Sequence, residues 1–437
     1  MALELYAPLT YNMSYYEAIS FSTLLTALRK CQRGVMWKDS TAGYSLNGLK
    51  NCYLRRQELL NDTYKISRYQ RFTIKEPKQR DILAAYINDR HVQRALCDYS
   101  AYPALAKSFI RDNFACQSGK GVADAQDRLK VFMRRYYNKH KSVGYVLQCD
   151  VKGYFPNTWH KVAQEKLLAS DADKQTIARM CEVIESFCEA NITDELRTLG
   201  QPHDTALKTA HFIATQRASI VRAKILGTGA DCINDAENKI CKRLKIIGIT
   251  NSDYIDHVMH DDFRGIGLGS QLSQLTQLLI LDRLDHIIKE DLHIKYYVRY
   301  MDDFILIHPD KEHLKHCKNV IQGYLDSVNL KLNDKSKLYQ LKQGIIFLKW
   351  RFRYSETGKV VMTMIHSKVT KQRRKMRALA DMIKRGERTI ADAEASFKAF
   401  QSHAERGDTF KQIYQLRKYY KELYGRQAPH GSKFFKK

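Results

Sequence analysis

The stretch "YYVRYMDDFILIH", residues 296–308, limits what this chain can fold into more than any other feature. Two adjacent carboxylates, Asp302 and Asp303, interrupt runs of strand-forming residues. Tyrosine and valine before them, and phenylalanine, isoleucine and leucine after them, predict two short strands joined by a turn. Setting a carboxylate against apolar strands is costly unless something neutralises it, and two side by side cost more. On its own, Asp-Asp between strands reads most simply as a solvated hairpin turn, because Asp favours turns. Asp150 adds weight to another reading, since it ends "YVLQCD", a second apolar run that delivers an acid where the strand stops. Functional groups are commonly carried at the open end of a rigid element in this way.

Three carboxylates meeting at one point would repel, and a divalent cation is the usual remedy. Oxygen donors without His or Cys favour Mg²⁺, with Mn²⁺ as the alternative, over zinc. Two such ions about 4 Å apart are the standard arrangement for nucleotidyl transfer.

The charge balance points the same way. Lys and Arg number 73 against 47 Asp and Glu, a net charge of +26, which suits a polyanionic partner and above all nucleic acid. From residue 361 to 437 there are 19 basic and 7 acidic residues, so 19 − 7 gives +12 in that tail alone. The 26 Tyr and 17 Phe offer flat rings for stacking on bases. The 10 cysteines form no CxxC, which argues for reduced thiols in a cytoplasmic protein and against a disulfide framework or a zinc site. No run approaches the roughly 20 apolar residues that span a bilayer, so no membrane partner is expected. The opening "MALELYAPLTYNMSYYEAIS" has neither the basic nor the apolar region of a secretory leader.

The hydrophobic pattern predicts an α+β chain. Residues 15–60 read as helical. Residues 64–83 read as two short strands around a proline turn, and a long mixed helical stretch runs from Asn88 to about Tyr137. "SVGYVLQCDVKGYF" is a strand ending in a turn; 173–190 and 273–292 have helical periods; "GIIFLKWRFRY" reads as one strand. The last 70 or so residues read as a basic helical appendage, while 191–264 is polar, glycine-dotted and without clear period.

In order along the chain, "CDVKGYF", "GIGLGSQLSQ" and "YMDD" resemble motifs A, B and C of reverse transcriptases. "EPKQRDILAAYINDRHVQRAL" and "NFACQSGKGVADAQDRL" resemble the fingers segments, and "LNDKSKLY" and "GIIFLKWRF" resemble motif D and the primer grip. Each motif is weak alone, but together, in the right order, they form a specific signal. The resemblance runs from about Tyr64 to Arg353. It implies a right-hand polymerase with an N-terminal helical extension at 1–63, fingers at 64–145, a palm at 146–360 with an insertion at about 191–264, and a basic helical thumb at 361–437.

The resemblance also implies roles. Asp150, Asp302 and Asp303 match the metal-binding carboxylates of two Mg²⁺ ions, with the Val151 carbonyl as a further ligand. Phe155 falls at the position whose ring excludes a ribonucleotide's 2′-hydroxyl. Lys78 and Arg80 match residues that hold the incoming triphosphate, and Lys335 matches a lysine that protonates the departing pyrophosphate. Leu268, Gly269 and Gln274 fall where motif B lies against the incoming nucleotide. Leu268 stands where many reverse transcriptases carry Gln, similar to the enzymes of diversity-generating retroelements and of the unknown-group and defence-associated bacterial clades. In the retroelement enzymes an apolar residue there accompanies error-prone copying. The implied partners are an RNA template (a dedicated noncoding RNA among the options), a DNA primer or product, dNTPs, and an accessory protein or second copy.

"KQRRKMR" carries Lys371, Arg373, Arg374, Lys375 and Arg377, which suit the phosphates of a duplex. "SGKG" at 118–121 lacks the spacing of a phosphate-binding loop, "GTGAD" at 227–231 lacks a third glycine, and "HVMHDD" at 257–262 reads as a polar loop. Two other readings stay open at the level of sequence: untemplated or protein-primed DNA synthesis by the same carboxylates, and a non-catalytic, maturase-like RNA-binding protein.

Overall fold

A computed structural model describes residues 13–75 and 79–429. The described residues are α+β, about 61% helical with small antiparallel sheets. It divides into two compact units. The first comprises Met1–Gly119, Asp150–Asp291 and Val320–Asp334; the second comprises Lys120–Cys149, Leu292–Asn319 and Lys335–Lys437.

In the first unit the helix Phe21–Gln32 buries Leu24, Ala27 and Leu28, the i, i+3, i+4 spacing of one helical face. Strands β1 (Gln70–Ile74) and β2 (Arg80–Ala84) pair antiparallel, with Ile74 opposite Arg80. The long helix expected from Asn88 onward is broken. Helix Ile87–Leu96 runs on through a π-helical turn, Cys97–Ala101, and the short helix Tyr102–Leu105, and the chain between 106 and 121 is not helical. Cys116 (φ +49°) and Gly119 (φ +70°) turn the backbone there, before a new helix begins at Val122.

The featureless stretch 191–264 is almost wholly helical: Cys188–Thr198, His203–Leu226, Ala230–Ile246 and Ser252–His260. Its core combines Ile192, Leu196, Ile213, Ile240, Leu244 and Phe263. In the longest helix the buried face includes Ala206, Ala210, Ala214 and Ala218, small residues at a spacing of four, beside Thr209, Ile213, Arg217 and Ile220. "GTGAD" is a helix junction, since Gly227 caps one helix in the left-handed conformation (φ +73°) and the next begins at Ala230. "HVMHDD" corrects the loop expectation as well: His257 to His260 form the last turn of a helix.

In the second unit β3 (Tyr145–Asp150, its last residue assigned to the first unit), β4 (Tyr296–Tyr300), β5 (Asp303–His308) and β6 (Lys337–Gln340) form one sheet in the order β4-β5-β3-β6. The helix Val122–His140 lies on it, with Phe132 and Tyr136 meeting Tyr296 edge-on at 5.8 and 5.4 Å. Strands β7 (Ile345–Phe347), β8 (Trp350–Tyr354) and β9 (Val360–Met364) form a second sheet. "GIIFLKWRFRY" is therefore a hairpin and not one strand. Leu348 (φ +48°) and Lys349 (φ +67°) both take left-handed backbone at its two-residue turn. Helices His366–Lys384, Ile390–Ala404 and Phe410–Tyr424 complete the unit, joined by Phe397 against Tyr420 and by the Tyr424 hydroxyl donating to the Met376 carbonyl at 2.6 Å.

Candidate active site

Strands β4 and β5 pair so that Tyr300 faces Asp303, leaving Met301 and Asp302 as a two-residue turn. Met301 holds φ +57°, a conformation that costs a side-chain-bearing residue about 1 kcal/mol or more. Phe304 to Ile307 are buried, while Asp302 and Asp303 are half-buried at the strand's mouth. Arg299, fully buried, donates from Nη1 to the Met301 carbonyl at 3.1 Å, bringing a guanidinium under the turn that carries both acids. Beside β5 lies β3. On β3, Gln148 accepts a hydrogen bond from the Tyr339 hydroxyl at 3.2 Å and donates to the Ile346 carbonyl at 2.7 Å. The Tyr339 hydroxyl is pushed up to about 12 by burial and then by the negative charge of Asp303. Lys335 is exposed, two residues before β6.

Asp150 closes β3 and is held within the first unit. Asn333 donates its side-chain amide to Asp150 Oδ2 at 2.8 Å, and its backbone N–H reaches the Asp150 carbonyl at 2.7 Å. Val151 forms a bridge with Leu332, so its backbone is anchored directly after the acid. Gly153 then turns the chain at φ +57°, where a Cβ would lie 2.6 Å from the Asn157 side chain. That turn starts the short helix Tyr154–Asn157, which carries half-buried Phe155.

The segment from Gly265 to Gly269 is stitched to this helix. The Ile266 N–H donates to the Phe155 carbonyl at 3.0 Å, and the Gly265 N–H donates to the Thr158 carbonyl at 2.8 Å. Gln277 donates to the Thr158 hydroxyl at 2.8 Å. Gly267 has no room for a side chain, because a Cβ would sit 2.4 Å from the Phe187 ring. Leu268 is half-buried, and Gly269 (φ +105°) passes near Ile82 of β2. Gln274 lies on the helix Gln271–Ile280 and accepts a hydrogen bond from the Cys116 thiol at 3.5 Å. The two share a cavity of about 350 Å³ with Arg94, Tyr102 and Gln271. Arg80 is exposed at the start of β2; Lys78 lies outside the described residues.

Neither a protein-family model nor a curated protein sequence matches the chain. A solved structure of telomerase from Candida albicans, in complex with a fragment of telomeric RNA, aligns with a TM-score of 0.39 at 12% identity, over 83% of this chain and 60% of that one. The chain thus spans about 60% of the length of that telomerase chain.

Within the second unit, Lys371, Arg373, Arg374, Lys375 and Arg377 are all exposed on the helix His366–Lys384. Arg377 donates to the Tyr419 hydroxyl at 3.1 and 3.2 Å, and the Arg373 guanidinium lies 5.9 Å from the centre of the same ring. Among the described residues no three His, Cys, Asp or Glu side chains are gathered into a ready cation cage, and no helix is long and apolar enough to cross a membrane. Sequence reasoning missed Arg299, Asn333, Gln148 and Tyr339. Asn333 was the most discoverable, standing two residues before Lys335 in "LNDKSKLY".

Proposed function

We propose that this protein is an RNA-directed DNA polymerase that extends a DNA primer on an RNA template. The observation that carries the reading is strand order: β5, which Asp303 opens, lies beside β3, which Asp150 closes. The donor chemistry suits Mg²⁺ or Mn²⁺, being carboxylate oxygens with no thiolate or imidazole in the set. In this reading Asp150, Asp302, Asp303 and the Val151 carbonyl hold two ions. Such a pair, when bound, activates a 3′-hydroxyl and stabilises departing pyrophosphate.

The chain's own residues do the rest. Asn333 fixes the Asp150 carboxylate, and the hydrogen-bonded Phe155 segment presents a ring against the sugar edge of the nucleotide. Arg80 and Lys78 grip the triphosphate, for which a planar guanidinium is well shaped. Lys335 gives a proton to pyrophosphate. Leu268, Gly269 and Gln274 line the nascent pair, and the exposed row from Lys371 to Arg377 grips duplex phosphates without reading sequence. The fingers, palm and thumb assignments belong to the same proposal. So do a cytoplasmic setting and a role in a bacterial retroelement or in antiphage defence, the latter with a dedicated noncoding RNA and an accessory protein or second copy.

The test is dNTP incorporation on a primed RNA template with Mg²⁺, comparing the wild type with Asp302→Ala/Asp303→Ala. Cleanly extended cDNA that disappears in the variant supports the proposal. Synthesis without a template points to untemplated or protein-primed chemistry. Tight RNA binding with no synthesis under any condition leaves a maturase-like scaffold and overturns the polymerase reading.

A further inference from the structure

The helices between 188 and 264 are tied to the motif B turn by one buried arginine. Arg217, midway along the helix His203–Leu226, spends its guanidinium on three partners. Nε donates to Glu185 Oε1 at 2.7 Å, Nη1 to the Val258 carbonyl at 2.5 Å, and Nη2 to the Asp261 carbonyl at 2.8 Å. Both carbonyls belong to the end of the helix Ser252–His260, where the last backbone oxygens lack partners within the helix. Arg217 therefore fixes where the chain leaves that helix, four residues before Gly265.

Glu185 carries the connection onward. Its Oε2 accepts from Gln164, on the helix His160–Leu168, at 2.9 Å. The same oxygen lies 3.8 Å from Nδ1 of His160, a fully buried ring too far for a hydrogen bond, so Gln164 carries the bonded link to that helix. The other ring nitrogen, Nε2, is 3.0 Å from the Gly265 carbonyl, so it must carry the proton and donate. The His160 backbone N–H donates to the Phe263 carbonyl at 2.8 Å, and Lys161 N–H donates to Asp262 Oδ1 at 3.1 Å. Every link from Arg217 to Gly265 lies within the first unit, and Arg217, Glu185 and His160 are buried.

We propose that Arg217, Glu185 and His160 form a positioning relay through which the 188–264 helices set the Gly265–Gly269 turn against the Phe155 segment, and thereby the selectivity for the incoming nucleotide's sugar. The inference rests on the polymerase reading for what the turn and Phe155 touch. The physical reason is that Ile266 N–H holds the Phe155 carbonyl, so a shift at Gly265 is passed directly to the ring that meets the sugar. A misplacement of about 1 Å is enough to matter in such a site.

The test uses the full chain with Arg217→Lys and, as a milder change, His160→Asn. Two quantities are read: the ratio of kcat/KM for a dNTP to that for the matching rNTP, and deuterium exchange of the peptide spanning 261–269. The relay predicts that both variants lower the ratio about tenfold, mainly by improving rNTP use, and speed exchange at Gly265 and Ile266. Equal losses for both nucleotides, with an unchanged ratio, would overturn it and leave a merely structural pair. If the wild type makes no DNA at all, the polymerase reading fails. The exchange measurement still judges the relay, which falls if 261–269 is as protected in the variants as in the wild type.

Discussion

Asn333 holds Asp150 twice, by its side-chain amide to Oδ2 at 2.8 Å and by its backbone N–H to the carbonyl at 2.7 Å. The side-chain bond fixes one carboxylate oxygen and with it the direction in which the acid points. A hydrogen bond to a charged group contributes about 1.5–3 kcal/mol. Asn333→Ala should therefore lower nucleotide incorporation about tenfold or somewhat more without abolishing it. Asn333→Asp, which sets a second negative charge beside Asp150, should be worse and should raise the Mg²⁺ concentration needed for half-maximal rate. A metal titration of the three proteins reads both effects.

Phe155 sits on a segment with little freedom, between the Gly153 turn and the Ile266 hydrogen bond. On the proposed reading, in which the Phe155 ring is the obstacle to a 2′-hydroxyl, Phe155→Ala should leave dNTP incorporation within a few-fold of wild type and raise rNTP incorporation by about a hundredfold. Single-nucleotide extension with matched dNTP and rNTP pairs measures this. An unchanged preference would remove Phe155 from the sugar site.

The exposed cations of the helix His366–Lys384 should act through phosphate charge alone. Arg374→Gln/Lys375→Gln should weaken binding to duplexes of any sequence. It should also reduce the slope of log K against log salt by about 2, near 0.9 for each phosphate no longer neutralised. Arg377 is a poorer probe, since it also braces the Tyr419 hydroxyl. Fluorescence anisotropy over a salt series gives the slope.

Burial alone would push the Glu185 carboxyl up, but His160 and the Arg217 charge outweigh it and hold it down to about 2. A carboxyl depressed in the folded state contributes stability above its unfolded value of about 4.5 and loses it as pH falls toward about 2. The contribution at neutral pH is about 3 kcal/mol. Glu185→Gln should thus melt well below wild type at pH 7, and the gap should narrow steadily between about pH 4.5 and 2. Thermal melts across that range check the sign.

Much of the candidate site is legible in the sequence because apolar strands ending in acids leave a plain mark: "YVLQCD" and "YYVRYMDDFILIH" both form strands, and the turn falls at Met301 and Asp302. The helices of 188–264 are not legible. Their longest member buries a stripe of alanines, which hydropathy barely separates from polar surroundings, and its polar core member Arg217 looks like a surface charge until its partners are seen. The β7–β8 hairpin is hidden for the opposite reason. Leu348 and Lys349 occupy a left-handed turn that Asn or Gly would normally announce, so the run reads as one strand. Arg299 escapes notice because a cation within an apolar run looks like any other strand residue, while its burial beneath the turn is a tertiary fact.

The most direct measurement offers each dNTP singly to the protein on primed homopolymer RNA templates, with Asp150→Asn run alongside. The account predicts that only the complementary nucleotide is added, that exchanging the template exchanges the nucleotide, and that Asp150→Asn loses at least about a hundredfold in rate. Addition that ignores the template, or that survives Asp150→Asn unchanged, would contradict it.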